Sequence, residues 1–255
     1  LVGSEMCIRD RFSKTLLFKM TILKKISKSL LSLFVLFQCY VLARLYLFAS
    51  CVIPTYSMSP TLLGGDYIIT SLQIPGRRIW KEDSCGHLTV YREVGARRIR
   101  KGDILVFNFP YVSDGDRMKL ESKVYYCKRC VSVAGETYEW EWNSESHRIY
   151  LPCAGEELPV DSTNYEGYRR SIEYETGGSL TRSGDRILLG DSLIHSYRFR
   201  CDYYFVCGDN VADSYDSRFW GMLPEDFILG VGKFIWFSRD KENGKIRWER
   251  MLRKI

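Results

Sequence analysis

Two patterns of apolar residues divide the chain. From Leu30 to Val52 it is apolar apart from Ser32, Gln38, Arg44 and Ser50, long enough at 1.5 Å per residue to cross a ~30 Å hydrocarbon layer. A cleaved signal peptide and an amphipathic surface helix are the alternatives, but a signal peptide's apolar core is only ~7–15 residues. The run therefore predicts one transmembrane helix over 29–52. Arg44 then falls at mid-span, costing roughly 2.5–3.5 kcal/mol unless it snorkels or finds a partner.

Beyond residue 52 the pattern changes. "DYIITSLQI", "GDILVFNFP", "KVYYCKRCVSVAG", "DRILLG", "YYFVCGDN" and "ILGVGKFIWF" are short β-branched or aromatic runs bounded by Gly, Pro, Asn or Asp, which read as strands. No long stretch carries apolar residues at i, i+3 and i+4, so few helices are expected outside the membrane. The fold class is mainly β and antiparallel. Between Glu136 and Cys201 the strand runs weaken and charged, Ser, Gly and Tyr residues accumulate, as in "RRSIEYETGGSLTRSGD". That segment is expected to be an inserted, β-rich cap.

The expected organisation is a cytoplasmic segment over 1–28, the transmembrane helix over 29–52 and a β domain from 53–137 and 202–240. The cap covers 138–201 and a C-terminal tail 241–255. The opening "LVGSEMCIRDRF" lacks an initiator methionine, a hydrophobic period and a cap signal. It reads as a translated artefact or a fragment end, with Met20 as the expected natural start.

The 255 residues suffice for one sizeable core, and 45% hydrophobic with 27% charged residues exclude wholesale disorder. The net charge of +6 is concentrated in two places rather than along a helix, and no nucleic acid is expected. One is the N-terminus, with Arg9, Arg11, Lys14, Lys19, Lys24, Lys25 and Lys28. Lys24, Lys25 and Lys28 precede the apolar run and no Lys or Arg follows it until Arg77, so the positive-inside rule puts the N-terminus in the cytoplasm and the β domain outside. The other runs from Arg77 to Lys101, where Arg77, Arg78, Lys81, Arg92, Arg97, Arg98, Arg100 and Lys101 outnumber Glu82, Asp83 and Glu93. It reads as a solvated loop or as a contact for anionic lipid headgroups.

Nine cysteines are scattered along the chain. On an oxidising side some of Cys85, Cys127, Cys130, Cys153, Cys201 and Cys207 are open to pairing, with unreadable connectivity. Cys127 and Cys130 form a CxxC, but in a strand they point to opposite faces, and no second CxxC or HExxH accompanies them. No metal or other cofactor is expected.

Ser57 sits in "IPTYSMSPTLLGGD", immediately after the apolar run. A serine becomes a nucleophile only beside a base. His87, His147 and His195 lie in turn-rich or charged segments and are poor candidates. A lysine serves if it is neutral, which requires its pKa to fall from ~10.4 to near 8, and burial in an apolar site can supply that. Lys128, inside the otherwise apolar "VYYCKRCVSV", is best placed. There Tyr126, Lys128 and Cys130 share one strand face, and Cys127, Arg129 and Val131 the other. An edge-strand lysine in water is the competing reading.

Three blocks together resemble the signal peptidase I family, bacterial leader peptidases with a serine–lysine dyad. "IPTYSMSPTLLGGD" resembles its nucleophile block, "YYCKRCVSVAGE" its lysine block and "GDNVADSYDSRFWGMLPEDFILG" its C-terminal block, with "RKGDILVF" between the first two. The resemblance implies a catalytic antiparallel β domain with a β-rich cap behind one transmembrane helix. It implies Ser57 as nucleophile and Lys128 as general base, with Ser214 orienting the lysine and Asp216 and Arg218 bracing it. Thr55, where the family usually has a serine, would join the Ser57 N–H in binding the oxyanion. Ile53, Pro54, Met58, Tyr126 and Cys127 resemble the lining of small-residue pockets. Tyr56 replaces a glycine common in some members, and Ala134 a common proline.

The implied substrates are secretory preproteins, cut after an A-x-A-like sequence at the outer face of the bacterial inner membrane, with lipid as the other partner. An extended substrate is expected to add a strand to an exposed sheet edge. Two other readings keep the fold: an autocleaving repressor with the same dyad, which would carry a DNA-binding domain and no membrane span, and a membrane-anchored module that only binds peptides.

Overall fold

The computed structural model describes residues 2–82, 88–111, 116–120, 124–142 and 144–255, with side chains from Ile22 onward except those of 82, 88 and 89. Asp83, Cys85 and His87 lie outside the described residues, as do the side chains of Arg9, Arg11, Lys14, Lys19 and Glu82. Residues up to Leu47 form one compact unit and Phe48–Ile255 a second.

The first unit is a helix, α1 (Val2–Tyr46). Its part long and apolar enough to cross a membrane is Ile22–Tyr46, 25 residues that are exposed nearly throughout. The segment expected to span over 29–52 thus ends earlier. The last helical bond runs from the Leu47 N–H to the Ala43 carbonyl, and the next residues form strand β1 (Phe48–Val52). A continuous apolar run does not distinguish a helix from a half-buried strand by periodicity, and here it contains both. Arg44, expected at mid-span, therefore lies in the last helical turn, where a cation suits the helix dipole and can reach an interface.

The second unit is mainly antiparallel β. After β1 come β2 (Asp66–Ser71), β3 (Arg78–Glu82), β4 (Leu88–Arg92), β5 (Ile104–Asn108) and β6 (Tyr125–Ser132). The insert carries β7 (Thr137–Trp142), β8 (Glu145–Tyr150), β9 (Glu157–Pro159), α2 (Tyr165–Thr176), β10 (Leu180–Ser183), β11 (Arg186–Leu189), β12 (Ser192–Ile194) and β13 (Ser196–Arg198). The chain closes with β14 (Tyr203–Cys207), α3 (Ser217–Trp220), β15 (Leu223–Pro224), β16 (Ile228–Ser238) and β17 (Arg253–Lys254). The main sheet is ordered β1-β2-β16-β5-β6-β14-β15, with β17 also on β16. β3–β4, β7–β8, β9–β13 and β10–β11–β12 form separate small sheets.

Strand periodicity explains why β5 reads as an unbroken apolar run. All five of its residues are buried. Ile104 and Val106 face a cluster with Ile53, Met58, Leu62, Ile68 and Ile235, while Leu105 and Phe107 face one with Trp220, Leu223, Phe227 and Val231. β14 divides in the same way. Tyr204 and Val206 join the second cluster, and Tyr203 and Phe205 join the insert's core around Tyr168, Ile172 and Phe199. A sheet covered on both faces needs such strands.

The insert is not wholly β. Tyr165, Tyr168 and Ile172 are the buried face of α2, whose start and end are marked by Asn164 and a left-handed Gly177 with φ 69°. With only four large apolar or aromatic side chains in twelve residues, three of them on the buried face, the helical period is faint, although the terminal Asn and Gly were readable.

The described residues between Arg77 and Lys101 are built into the fold rather than forming a solvated loop. Arg78 donates to the Asp226 and Phe227 carbonyls, and Arg92 to those of Gly76, Glu225 and Ile228. Arg97 grips Asp103 with two bonds of 2.7 Å, and Lys101 pairs with Glu136. The expected tail over 241–255 likewise folds back. It supplies β17 and brings Arg250 onto Asp66, at 2.6 Å to Oδ2, with both side chains buried. Ser238 Oγ and the Leu63 N–H also donate to that carboxylate. Burial alone would raise the Asp66 pKa, but the bonds from Arg250, Leu63 and Ser238 outweigh it and hold the group below its ordinary range.

Replacing Arg250 by leucine strands a buried carboxylate and is expected to destabilise the protein by about 3–5 kcal/mol. Urea unfolding of the detergent-solubilised chain measures this, and a loss below ~1 kcal/mol would refute it. Because the folded pKa of Asp66 is depressed, the wild-type advantage is present above the unfolded carboxylate value of ~3.9 and fades as pH falls through the folded one.

Candidate active site

The connection between β1 and β2 carries Ser57. Its ends are closed by two backbone bonds, Ile53 N–H to the Asp66 carbonyl and Gly65 N–H to the Ile53 carbonyl, both 2.8 Å. Met58 and Leu62 anchor the loop in the core beneath. Tyr56, the departure noted in this block, lays its ring against Gly64, where a Cβ would come within 3.3 Å.

Lys128 lies on β6, opposite Leu105 of β5. On its other side β14 pairs with Cys130 and Arg129 through Val206 and Cys207 and then leaves the sheet as Gly208-Asp209-Asn210. Lys128 therefore faces a loop instead of a strand. The Asn210 N–H donates to the Ser57 carbonyl at 3.0 Å. A Cβ on Gly208 would stand 2.2 Å from Ser214 Oγ and 2.4 Å from the Ser57 carbonyl oxygen, so the crossing admits only glycine.

The side chains meet around one nitrogen. Lys128 is 2% exposed, and its Nζ is 2.6 Å from Ser57 Oγ and 3.0 Å from Ser214 Oγ. Ser214 Oγ lies 2.6 Å from Asp216 Oδ2. A carboxylate only accepts, so the Ser214 hydroxyl proton points to Asp216 and its oxygen is left to accept from Lys128. With one N–H so committed, the lone pair of a neutral Nζ can accept the Ser57 O–H. Burial pushes the Lys128 pKa down, and the charge of Asp216 opposes it.

Asp216 is fully buried and saturated. Oδ2 also accepts from the Gly208 N–H at 2.9 Å and from Arg218 at 2.7 Å, and Oδ1 accepts from Arg218 Nε at 2.8 Å. Burial favours its neutral form, but the bonds from Arg218, Ser214 and Gly208 outweigh that and keep its pKa below the ordinary value. Its charge is met by Arg218 rather than by the lysine.

Ile53, Pro54, Met58, Tyr126 and Cys127, the five residues expected at small-residue pockets, line one cavity with Thr55, Ser57, Val124 and Tyr125. Its volume of about 190 Å³ suits small side chains. The Thr55 hydroxyl is 3.4 Å from Ser57 Oγ, and among the described residues none accepts the Ser57 backbone N–H.

Three participants were not singled out by the sequence. Arg129 grips Asp209 with bonds of 2.7 and 2.6 Å and donates to Thr61 Oγ1 at 3.2 Å, tying the three segments of the site together. Gly208 and Asn210 are the others. "GDN" marked the end of a strand, and nothing in its local pattern reports what crosses it. His147 stacks on Trp140, and His195 follows β12; neither donates to nor accepts from Ser57 or Lys128. Cys127, Cys130, Cys153, Cys201 and Cys207, left open to pairing by the sequence, are free thiols; Cys130 is buried against the Ser132 carbonyl.

Comparison with known proteins covers most of the chain. The family model described as "Signal peptidase, peptidase S26" matches residues 25–237. Signal peptidase I of Haemophilus influenzae is 26% identical, over 90% of this chain and 76% of its own. That of Aquifex aeolicus is 24% identical, over 83% and 84%, and that of Pseudomonas aeruginosa 28% identical, over 80% and 69%. A match from the apolar helix to the end of β16 shows that the chain belongs to the signal peptidase S26 family.

Proposed function

We propose that this protein is a membrane-anchored signal peptidase that cuts exported preproteins after small residues of an A-x-A-like sequence, with Ser57 as nucleophile and Lys128 as general base. The observation that carries the reading is the buried Lys128 Nζ, 2.6 Å from Ser57 Oγ and with a separate acceptor in Ser214. A lysine in water would be protonated and useless as a base. One shielded on all sides, with its neighbouring carboxylate neutralised by Arg218, can be neutral at working pH.

In this mechanism the residue before the scissile bond places its side chain in the cavity beside Ser57. Lys128 takes the Ser57 proton as Oγ attacks the carbonyl carbon, and the Ser57 N–H and Thr55 hydroxyl hold the oxyanion. The resulting ammonium gives the proton to the leaving amine, the C–N bond breaks, and an acyl-enzyme ester remains. Lys128 then draws a proton from water, which attacks the ester, and returns it to Ser57. Ser214 keeps Nζ aimed throughout, and Asp216 with Arg218 keeps Ser214 aimed.

The bacterial relatives, the apolar stretch Ile22–Tyr46 and the lysines at 24, 25 and 28 support a single-pass protein of the bacterial inner membrane with the β unit on the outer side. Its partners are then secretory preproteins and membrane lipid.

Incubating the chain with a preprotein bearing an A-x-A site, and locating the cut by mass spectrometry, tests the reading. Ser57→Ala and Lys128→Ala are expected to lower kcat by at least about 10⁴, and Lys128→Arg to be as inactive because a guanidinium does not deprotonate. Cleavage that survives either alanine variant would sink the dyad, and no cleavage with several preproteins would favour a peptide-binding module. Because burial lowers the Lys128 pKa, the rate should rise with pH to a midpoint below the ordinary ~10.4 of lysine; a midpoint at that value would contradict a shielded base.

Removing Ser214 leaves Nζ unaimed, so Ser214→Ala is expected to lower kcat about 10²-fold with little change in KM. Thr55→Val removes one oxyanion donor and should cost about 10²–10³ in kcat. Thr55→Ser should restore it, and steady-state kinetics that show Thr55→Val and Thr55→Ser alike would rule the donor out.

A further inference from the structure

A chain of aromatic rings leaves the cavity and crosses the surface of the β unit. Tyr126, on the cavity wall, stacks on Phe109 with centroids 4.6 Å apart. Phe109 meets Tyr215 at 6.1 Å, Tyr215 meets Phe219 at 5.3 Å, and Phe219 meets Trp142 edge-on at 4.8 Å. Phe109 and Tyr126 rest against the core, and the chain then runs out onto the surface. Tyr215 is 53% and Phe219 44% exposed, and Phe109, Tyr126 and Trp142 are half-buried. Connected aromatic surface of this kind marks a place where something binds, unlike scattered single residues.

The occupant follows from the direction of proton transfer, an argument that rests on the peptidase reading above. Cleavage divides the substrate at the carbonyl attacked by Ser57. The acyl side holds the cavity, whereas the leaving amine takes its proton from Lys128. Nζ stands between Ser57 and Ser214, so the leaving segment departs on the Ser214 side. The next residue is Tyr215, and Phe219 follows Arg218 just beyond. The turn that aims the lysine therefore also presents the rings.

We infer that Phe109, Tyr215, Phe219 and Trp142 bind the leaving segment, the first residues of the mature protein, in an extended conformation. The ring-to-ring steps span at most about six residues at ~3.4 Å each. At the far end Arg218 stands 5.8 Å from the Trp142 ring with its charge already matched by Asp216. The track thus selects apolar and backbone faces rather than a charge pattern. Stacking of that kind tolerates varied sequence, as a peptidase serving many preproteins requires.

The test uses the full chain in detergent and two peptides identical up to the scissile bond, with leaving segments of one and of six residues. The ratio of their kcat/KM values is expected to favour the longer peptide by about tenfold in the wild type. In Trp142→Ser and Phe219→Ser it should fall towards one, while Val211→Ser, a substitution at an exposed residue outside the ring chain, keeps the wild-type ratio. A wild-type ratio within twofold of one, or variants that lower both rates alike, overturns the inference and leaves the peptidase reading standing. Variants that keep the ratio but lose affinity for lipid vesicles assign the rings to the membrane instead. Failure to cut either peptide removes the peptidase reading and this inference with it.

Discussion

The structure around Ser57 depends on keeping one lysine dry, the condition under which it can give up its charge. Water would return the proton to Lys128, and so would a carboxylate placed directly against it. Both are kept away by the same arrangement. The core under β6 removes the solvent, and Ser214 stands between Nζ and Asp216, so that the nearest group is a neutral hydroxyl. The Asp216 charge is then absorbed by Arg218 in a bidentate pair, which limits how far it can pull the lysine back towards its charged form. A buried ion pair is weak evidence for stability, but here it has a specific consequence: it fixes which way the Ser214 proton points.

That polarity is set by the fold. β5 pairs with β6 from Tyr125 to Arg129 and β14 from Arg129 to Ser132, and a longer β14 would cover Lys128 with another strand. Instead β14 ends at Cys207, and the loop from Gly208 takes its place. The loop approaches so closely that its first residue has no room for a Cβ, its N–H binds Asp216, and two residues on it holds the Ser57 carbonyl. The site therefore occupies a gap in an otherwise continuous sheet, and Arg129 spans the gap from the next position on β6.

Much of this was legible in the sequence because it is local. Short β-branched and aromatic runs bounded by turn residues gave the β class, and "IPTYSMSP", "YYCKRC" and "DSYDSR" each carry their polar groups at fixed short spacing. What was missed depends on partners distant in sequence. Arg78 and Arg92 read as surface cations because most of the carbonyls they bind belong to residues more than 130 positions away. Arg250 looked like part of a tail because Asp66 lies 184 residues before it. The end of the helix at Tyr46 was hidden by an apolar strand joined to it without a polar break.

The ring chain extends the same logic to the surface. Ser214, Asp216 and Arg218 alternate along one short turn and point inward, which leaves Tyr215 and Phe219 free to point out. A substitution in this turn thus acts on two properties that are separable in principle: the aim of the lysine, read in kcat, and the hold on the departing chain, read in how the rate depends on its length. Binding energy gathered on residues beyond the scissile bond can be spent on holding that bond against Ser57, so the two properties meet in the transition state. This gives a physical reason for exposed aromatic side chains to persist beside a polar site, where single polar residues would be cheaper to keep in water.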